Sequence, residues 1–292
     1  PPTPAPSAAP AVPTLTAPAP APPAPAPAAA PAPTAAATVA IPTDRDGMMA
    51  FDAKKATAGH TSLDAFPLAS APDSLLVPIP KDGEEFWELE DRFAANLQGN
   101  NEDYVASRIK AGKKPLRFLL VGAERVYNPV LEARFELKRK ELVAARDAKE
   151  CRERVSFHGT HPKNIKSILH YGLLRFKHPL NPCKTQADDG YFGTNKKGIY
   201  VSRYADYTLK YSNRICAVDA GDEVKVILFK TLPGKTKHIE KLVGAVDPTA
   251  GYDSHSSPTF LEWYLFDEAQ ACPAYVLKIK AVEDTRTAAD DQ

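Results

Sequence analysis

Hydrophobic residues recur at helical spacing in two stretches of the chain. Phe86, Leu89 and Phe93 lie three or four positions apart, which predicts an amphipathic helix with its apolar face toward a core. The same period returns after Asn128-Pro129 and predicts a longer, charged helix that runs to about residue 154. Both helices precede the part of the chain in which most of the strands are expected.

From Val155 onwards the pattern changes to short runs of β-forming residues separated by turns. The strands predicted in this part are 155–157, 198–202, 224–230, 262–266 and 275–280. An apolar run at 116–121 predicts one strand upstream, and two short helices, one ending at Gly172 and one at 204–211, interrupt the series. Strands and helices do not alternate regularly enough for a parallel sheet, so the predicted fold class is α+β with antiparallel pairing.

The composition sets residues 1–42 apart from the rest of the chain. They hold 15 of the 28 prolines and none of the charged residues. Because each proline fixes φ and lacks an amide donor, helix and sheet are disfavoured, and polyproline II or disorder is expected. We interpret the segment as a passive spacer; a ligand for proline-binding domains is the alternative.

The chain is therefore predicted to have three parts. Residues 1–79 are expected to form a disordered Pro/Ala-rich tail and linker, because the stretch after residue 42 is mixed in composition. Residues 80–285 are expected to form the folded domain, and residues 286–292 a short carboxyl-terminal tail. The folded part is long enough to bury a substantial core.

Charge and cysteine content exclude several classes of protein. The formal net charge of +1 gives no support to a nucleic-acid binder that works by bulk electrostatics. No stretch approaches the ~20 apolar residues that span a bilayer, so no membrane association is expected. The cysteines, Cys151, Cys183, Cys216 and Cys272, show neither metal-ligand spacing nor a disulfide framework. A reducing compartment, the nucleus or the cytoplasm, is the expected location.

Three places in the folded part carry residues suited to chemistry. Phe157-His158-Gly159-Thr160 lies where a strand ends and a helix begins, and glycine there would let a ligand approach the backbone. Tyr200 lies in a strand and is followed by Tyr204, Tyr207 and Tyr211 at helical spacing. Glu262 opens an otherwise apolar strand. A structural histidine, a tyrosine core and an exposed carboxylate at the sheet edge are the alternatives.

These residues, in this order, resemble the His-Tyr-Glu triad of the poly(ADP-ribose) polymerase family, within the diphtheria-toxin-like ADP-ribosyltransferases. His158, Tyr200 and Glu262 stand at the three triad positions. Further segments resemble the family's catalytic domain, at 125–129, 164–173, 190–193, 197–200, 252–254 and 266–275. The resemblance extends over about 116–281, and it implies an ADP-ribosyltransferase fold, a split antiparallel β-sandwich with flanking helices.

The resemblance also implies a substrate and a role for individual residues. NAD⁺ would be the co-substrate, no metal would be needed, and protein acceptors, including the chain itself, would be the partners. The backbone of Gly159 and the hydroxyl of Thr208 would bind the nicotinamide carboxamide. His158 would hold ribose hydroxyls, and Tyr200 and Tyr211 would pack on the two sides of the nicotinamide ring. Glu262 would accept a hydrogen bond from the nicotinamide ribose and act in transfer.

The type of transfer, and two alternatives to an active transferase, bear on the interpretation of the triad. Members with the Tyr-Asp-Ser signature, here 252–254, often have an apolar third triad residue and transfer one unit; glutamate at 262 leaves single and polymeric transfer open. A pseudoenzyme that serves as an interaction scaffold is one alternative. An Arg-Ser-Glu type transferase is disfavoured, because the Glu-x-Glu triplet at 88–90 lies far too early.

Overall fold

The computed structural model describes residues 39–98, 108–182, 191–192, 197–212, 218–241, 246–258 and 261–285. The helices are α1 (Arg45–Met49), α2 (Ala53–Ala56), α3 (Glu84–Ala94), α4 (Pro129–Ala145), α5 (Pro162–Tyr171) and α6 (Ala205–Leu209). The strands are β1 (Leu75–Pro78), β2 (Leu116–Tyr127), β3 (Arg154–Gly159), β4 (Ile199–Val201), β5 (Glu223–Thr231), β6 (Thr236–His238), β7 (Ser254–Ser256), β8 (Trp263–Leu265) and β9 (Ala271–Glu283). Every strand and helix predicted above overlaps one of these elements.

The strands form two sheets that face each other. The first sheet has the order β1-β2-β9-β5-β3 and the second has the order β4-β8-β7-β6. In β5, Val226 and Leu228 contact α3 and α6 residues in one core cluster, whereas Ile227 and Phe229 contact the second sheet in another. Successive side chains of a strand point to opposite faces, so β5 is buried on both. The pairing is antiparallel except that β6 and β7 run parallel, which the prediction of an antiparallel sandwich did not include.

The prediction that the fold begins near residue 80 is wrong. Strand β1 pairs with β2, in register Leu75 with Tyr127. Phe66 is fully buried in a core cluster with α4, and Arg134 donates hydrogen bonds of 3.2 Å to the carbonyls of Leu63 and Phe66. Elements this short show no hydrophobic period, so their packing could not be recognised from the pattern. Residues 1–38 of the tail predicted at 1–79, and the tail predicted at 286–292, lie outside the described residues.

Helix α4 ends at Ala145, nine positions before the predicted end near 154. The chain turns back at Arg146, whose guanidinium contacts the Asp253 carboxylate at 2.8 and 3.0 Å. This ion pair ties the end of α4 to the start of β7. The charged period continues past 145 in sequence, but the helix ends where this tertiary contact forms.

Cysteine and membrane features of the described residues are plain. Cys151 and Cys272 are buried free thiols, while Cys183 and Cys216 lie outside the described residues. No helix among the described elements is long and apolar enough to cross a bilayer. No group of three or more His, Cys, Asp or Glu side chains in the described part has a metal-binding arrangement.

Candidate active site

The site forms where β3, at the edge of the first sheet, meets β4, at the edge of the second. Phe157 of β3 and Ser202, which follows β4, exchange two backbone hydrogen bonds of 2.7 and 2.9 Å. This bridge places His158 beside Tyr200, with the imidazole Nδ1 3.0 Å from the Tyr200 carbonyl oxygen. The sequence order alone separates these two residues by 42 positions.

The contact with Tyr200 fixes the tautomer of His158. A carbonyl oxygen can only accept, so Nδ1 carries the proton and donates it, and Nε2 of the neutral ring keeps its lone pair. Burial lowers the pKa of His158 below its ordinary value, and the hydrogen bond to Tyr200 opposes this shift only in part. His158 is therefore neutral at pH 7 and offers Nε2 as an acceptor.

Gly159 is required by the close approach of α6. A Cβ added to Gly159 would lie 1.8 Å from the carbonyl oxygen of Thr208 and 3.0 Å from the hydroxyl of Ser212. The space beside its Cα is thus filled by the protein and not left for a ligand. The backbone groups of Gly159 point the same way as those of Phe157, two residues earlier, because strand groups alternate. Its N–H and C=O therefore face away from β5, toward the edge that holds Tyr200.

Helix α6 supplies a group of polar side chains next to Gly159. The buried Thr208 hydroxyl donates to the carbonyl of Ala205 at 2.7 Å, so toward a ligand it can only accept. The rings of Tyr207 and Tyr211 meet edge to face at 6.1 Å. The Lys210 ammonium lies 4.1 Å from the centre of the Tyr207 ring and 4.8 Å from that of Tyr211.

Tyr200 is backed by an aromatic cluster. Its ring centre lies 4.9 Å from that of Tyr264 and 6.0 Å from that of Phe192. Tyr264 is fully buried, and its hydroxyl accepts a hydrogen bond of 2.8 Å from the amide of Lys197. This packing fixes one side of the Tyr200 ring, so the ring can serve as a rigid wall.

Glu262 is buried and its carboxylate is held by two donors. The residue is 6% exposed, so the alternative of a solvated carboxylate at the sheet edge is wrong. The Tyr207 hydroxyl donates to Oε1 at 2.5 Å, and the Tyr191 amide donates to Oε2 at 2.8 Å. Burial and the negative charge of Glu262 raise the pKa of Tyr207, so this phenol stays protonated and keeps donating.

The structure brings the six predicted site residues onto adjacent elements. They lie on β3, on β4, on α6 or just after it, and directly before β8: His158, Gly159, Tyr200, Thr208, Tyr211 and Glu262. The sequence does not identify Tyr207 or Tyr191 as partners of the carboxylate. The one signal in the sequence was the four-residue spacing of Tyr207 and Tyr211, which puts both on one helix face.

Comparison with known proteins identifies the family and the fold of this chain. A family model of the poly(ADP-ribose) polymerase catalytic domain matches residues 100–281. No curated protein matches the sequence. Among solved structures, the crystal structure of the TASOR pseudo-PARP domain is similar, with 23% identity and a TM-score of 0.54 over 72% of this chain and 100% of that chain. At this identity the likeness establishes the fold, and it confirms the predicted fold class.

Proposed function

This chain belongs to the poly(ADP-ribose) polymerase catalytic-domain family, and on that premise we propose that it transfers ADP-ribose from NAD⁺ to protein acceptors and releases nicotinamide. The observation that carries the proposal is that the topology brings three residues from distant parts of the chain onto adjacent elements. His158 contacts the Tyr200 carbonyl, β4 pairs with β8, and Glu262 directly precedes β8. Each of the three triad positions holds the residue type that ADP-ribose transfer needs.

The described residues fit a nicotinamide group in two respects. Gly159 directs its N–H and C=O toward the Tyr200 edge, where they match the acceptor and donor of a carboxamide. The buried Ser212 hydroxyl beside Gly159 has no hydrogen-bond partner among the described residues. A buried polar atom without a partner is costly, so a bound polar group there would relieve that cost. The Thr208 hydroxyl adds a hydrogen-bond acceptor at the same place.

The ribose end would be held by His158 and Glu262. The neutral imidazole accepts a hydroxyl hydrogen bond through Nε2, and the buried carboxylate retains lone pairs beyond those that Tyr207 and Tyr191 use. Both groups are fixed by contacts inside the protein. Such fixed groups cost little reorganisation when they act.

Glu262 is the residue that would promote the reaction itself. When the bond from ribose to nicotinamide breaks, nicotinamide leaves with the bonding electrons and positive charge develops on the ribose carbon. A buried carboxylate stabilises this charge. The acceptor nucleophile forms the new bond to the same carbon, and its proton passes to a base, either a carboxylate or solvent.

A second candidate, an inactive scaffold, is favoured by one observation. The Tyr207 hydroxyl already occupies Oε1 of Glu262 at 2.5 Å. If that contact persists with ligand present, Glu262 would be a structural carboxylate that links α6 to β8. The chain would then keep the fold without transferring ADP-ribose.

The test is incubation of the full chain with labelled NAD⁺ and candidate acceptor protein, followed by a denaturing gel. Discrete labelled bands support single transfer and a smear supports polymer, and Glu262→Gln should reduce the label by ~10²-fold or more. Thermal stabilisation by unlabelled NAD⁺ is measured in parallel. Stabilisation without label would favour an inactive binder. The absence of both stabilisation and label would overturn the proposal.

A further inference from the structure

A small crevice with a basic rim lies beside the turn that joins β5 to β6. Its volume is about 120 Å³, and its lining includes Lys149, Arg152, Arg154, Gly234 and Trp263. We call it the 149–154 crevice. It is separate from the residues assigned to NAD⁺, none of which lines it.

The basic side chains of the rim are not neutralised by neighbours. Lys149, Arg152 and Arg154 are exposed and form no ion pair with the described residues. One neighbouring carboxylate is engaged elsewhere, since Glu153 contacts Arg139 at 2.5 Å. Glu150 is the one carboxylate among the lining residues of the described chain.

The floor of the crevice is rigid. Gly234 has φ of 64°, and a Cβ there would lie 2.5 Å from the Asp253 carboxylate, which is bound in turn by Arg146 at 2.8 Å. Trp263 is 7% exposed and belongs to the core cluster between the sheets. A rigid floor under three cations keeps its shape when a ligand enters, so little ordering is needed on binding.

We propose that the 149–154 crevice binds the phosphate group of a small ligand. Two guanidinium groups and one ammonium match a tetrahedral dianion, because arginine donates in paired fashion to phosphate oxygens. The whole chain carries a formal net charge of only +1, so this concentration of unpaired cations is local. The volume is sufficient for one phosphate group.

The crevice lies across β8 from the candidate active site. Trp263 directly follows Glu262, and successive residues of an extended strand point to opposite faces. Tyr264 packs against Tyr200 on the site face, whereas Trp263 faces the crevice. Occupation of the crevice therefore requires no contact with the NAD⁺ residues, and the proposal does not depend on transferase activity.

The experiment is calorimetric titration of the full chain with sodium phosphate, at an ionic strength held constant with chloride. The double variant Arg152→Gln/Arg154→Gln should bind phosphate at least about tenfold more weakly, the scale of lost charge-assisted hydrogen bonds. The matched control is Lys54→Gln/Lys55→Gln, which removes two exposed lysines of α2 and should bind like the wild type. Tyr200→Ala, which alters the candidate active site, should also leave phosphate binding unchanged.

A second titration, with glycerol 3-phosphate, distinguishes a phosphate monoester from free phosphate as the ligand. Tighter binding than inorganic phosphate supports a phosphate monoester, and weaker binding supports the free ion. Binding by chloride alone to the same extent, or equal phosphate affinity in the arginine double variant, would overturn the proposal. The far-ultraviolet circular dichroism of each variant establishes that the fold is intact.

Discussion

The Tyr207 hydroxyl lies 2.5 Å from Oε1 of Glu262 and connects α6 to the residue that precedes β8. The same helix carries Thr208, whose carbonyl packs on Gly159 of β3. One hydrogen bond thus links the carboxylate to the element beside the proposed carboxamide pocket. The orientation of Glu262 depends on this contact and on the Tyr191 amide.

Tyr207→Phe removes the hydroxyl and keeps the ring. It leaves a buried carboxylate oxygen without this donor, so we expect a loss of about 1–3 kcal/mol in the free energy of unfolding. Transfer should also fall, because Glu262 is no longer held. Urea unfolding and labelled NAD⁺ transfer measure the two effects. The control is Tyr204→Phe, whose hydroxyl has no hydrogen-bond partner among the described residues; equal effects in both variants would contradict the assigned contact.

Glu262→Gln keeps the shape of the side chain and removes its negative charge. The amide can accept from Tyr191 through its oxygen and donate to Tyr207 through its nitrogen, so the fold should persist. We expect NAD⁺ affinity to change little and transfer to fall by ~10²-fold or more, the scale of one missing electrostatic contribution. Binding is followed by calorimetry and transfer by label. A wild-type rate of transfer in the variant would show that Glu262 does not act in the reaction.

Gly159→Ala should damage both stability and NAD⁺ binding. The new Cβ would lie 1.8 Å from the Thr208 carbonyl, and backbone atoms must move to admit it. Overpacking of this kind costs about 1–3 kcal/mol or more. The control is Gly122→Ala, where the nearest atom to the added Cβ is 3.6 Å away on Lys278. The melting temperatures of the two variants are compared, and a harmless Gly159→Ala would disprove the close approach.

Stability should fall as the pH drops below 6.5. Burial lowers the folded pKa of His158 below the value of 6.5 expected for the unfolded chain. The unfolded state then binds more protons, so stability is fully present above pH 6.5 and is lost as the pH falls through the folded pKa. His255 shifts the same way because it is buried and lies near Lys237.

The measurement is urea unfolding at pH 7.5, 6.5 and 5.5. His158→Asn can still donate to the Tyr200 carbonyl but does not titrate, so it should flatten this dependence. The residual slope should come in part from His255. An unchanged slope in His158→Asn would show that His158 does not titrate as assigned.

Two truncations test where the folded unit begins. Deletion of residues 1–38 should leave the melting temperature unchanged, because their composition cannot supply a core. Deletion of residues 1–79 should lower it strongly, since it removes Phe66 and the strand that pairs with β2. Thermal unfolding of both proteins measures the difference. Equal melting temperatures of the two truncated proteins would show that the fold begins near residue 80, as the sequence suggested.

The sequence by itself determined the fold class and the positions of the triad. Hydrophobic period and turn residues are properties of short segments, so α3, β5 and β9 could be predicted within a few positions. The motif around His158 and the glutamate at 262 were visible for the same reason. Their joint meaning came from resemblance to a family, since no local pattern shows that residues 42 positions apart, such as His158 and Tyr200, lie in contact.

Only the tertiary structure decided how the carboxylate is held and where the fold begins. Tyr207 and Glu262 are separated by 55 positions, and their contact depends on the placement of α6 against β8. The burial of Phe66 depends on α4, and the parallel pairing of β6 with β7 depends on how the chain returns after β6. The 149–154 crevice likewise combines residues from three segments. Each of these features arises from packing between distant elements, and packing is fixed by the free energy of the whole fold and not by the residues of one segment.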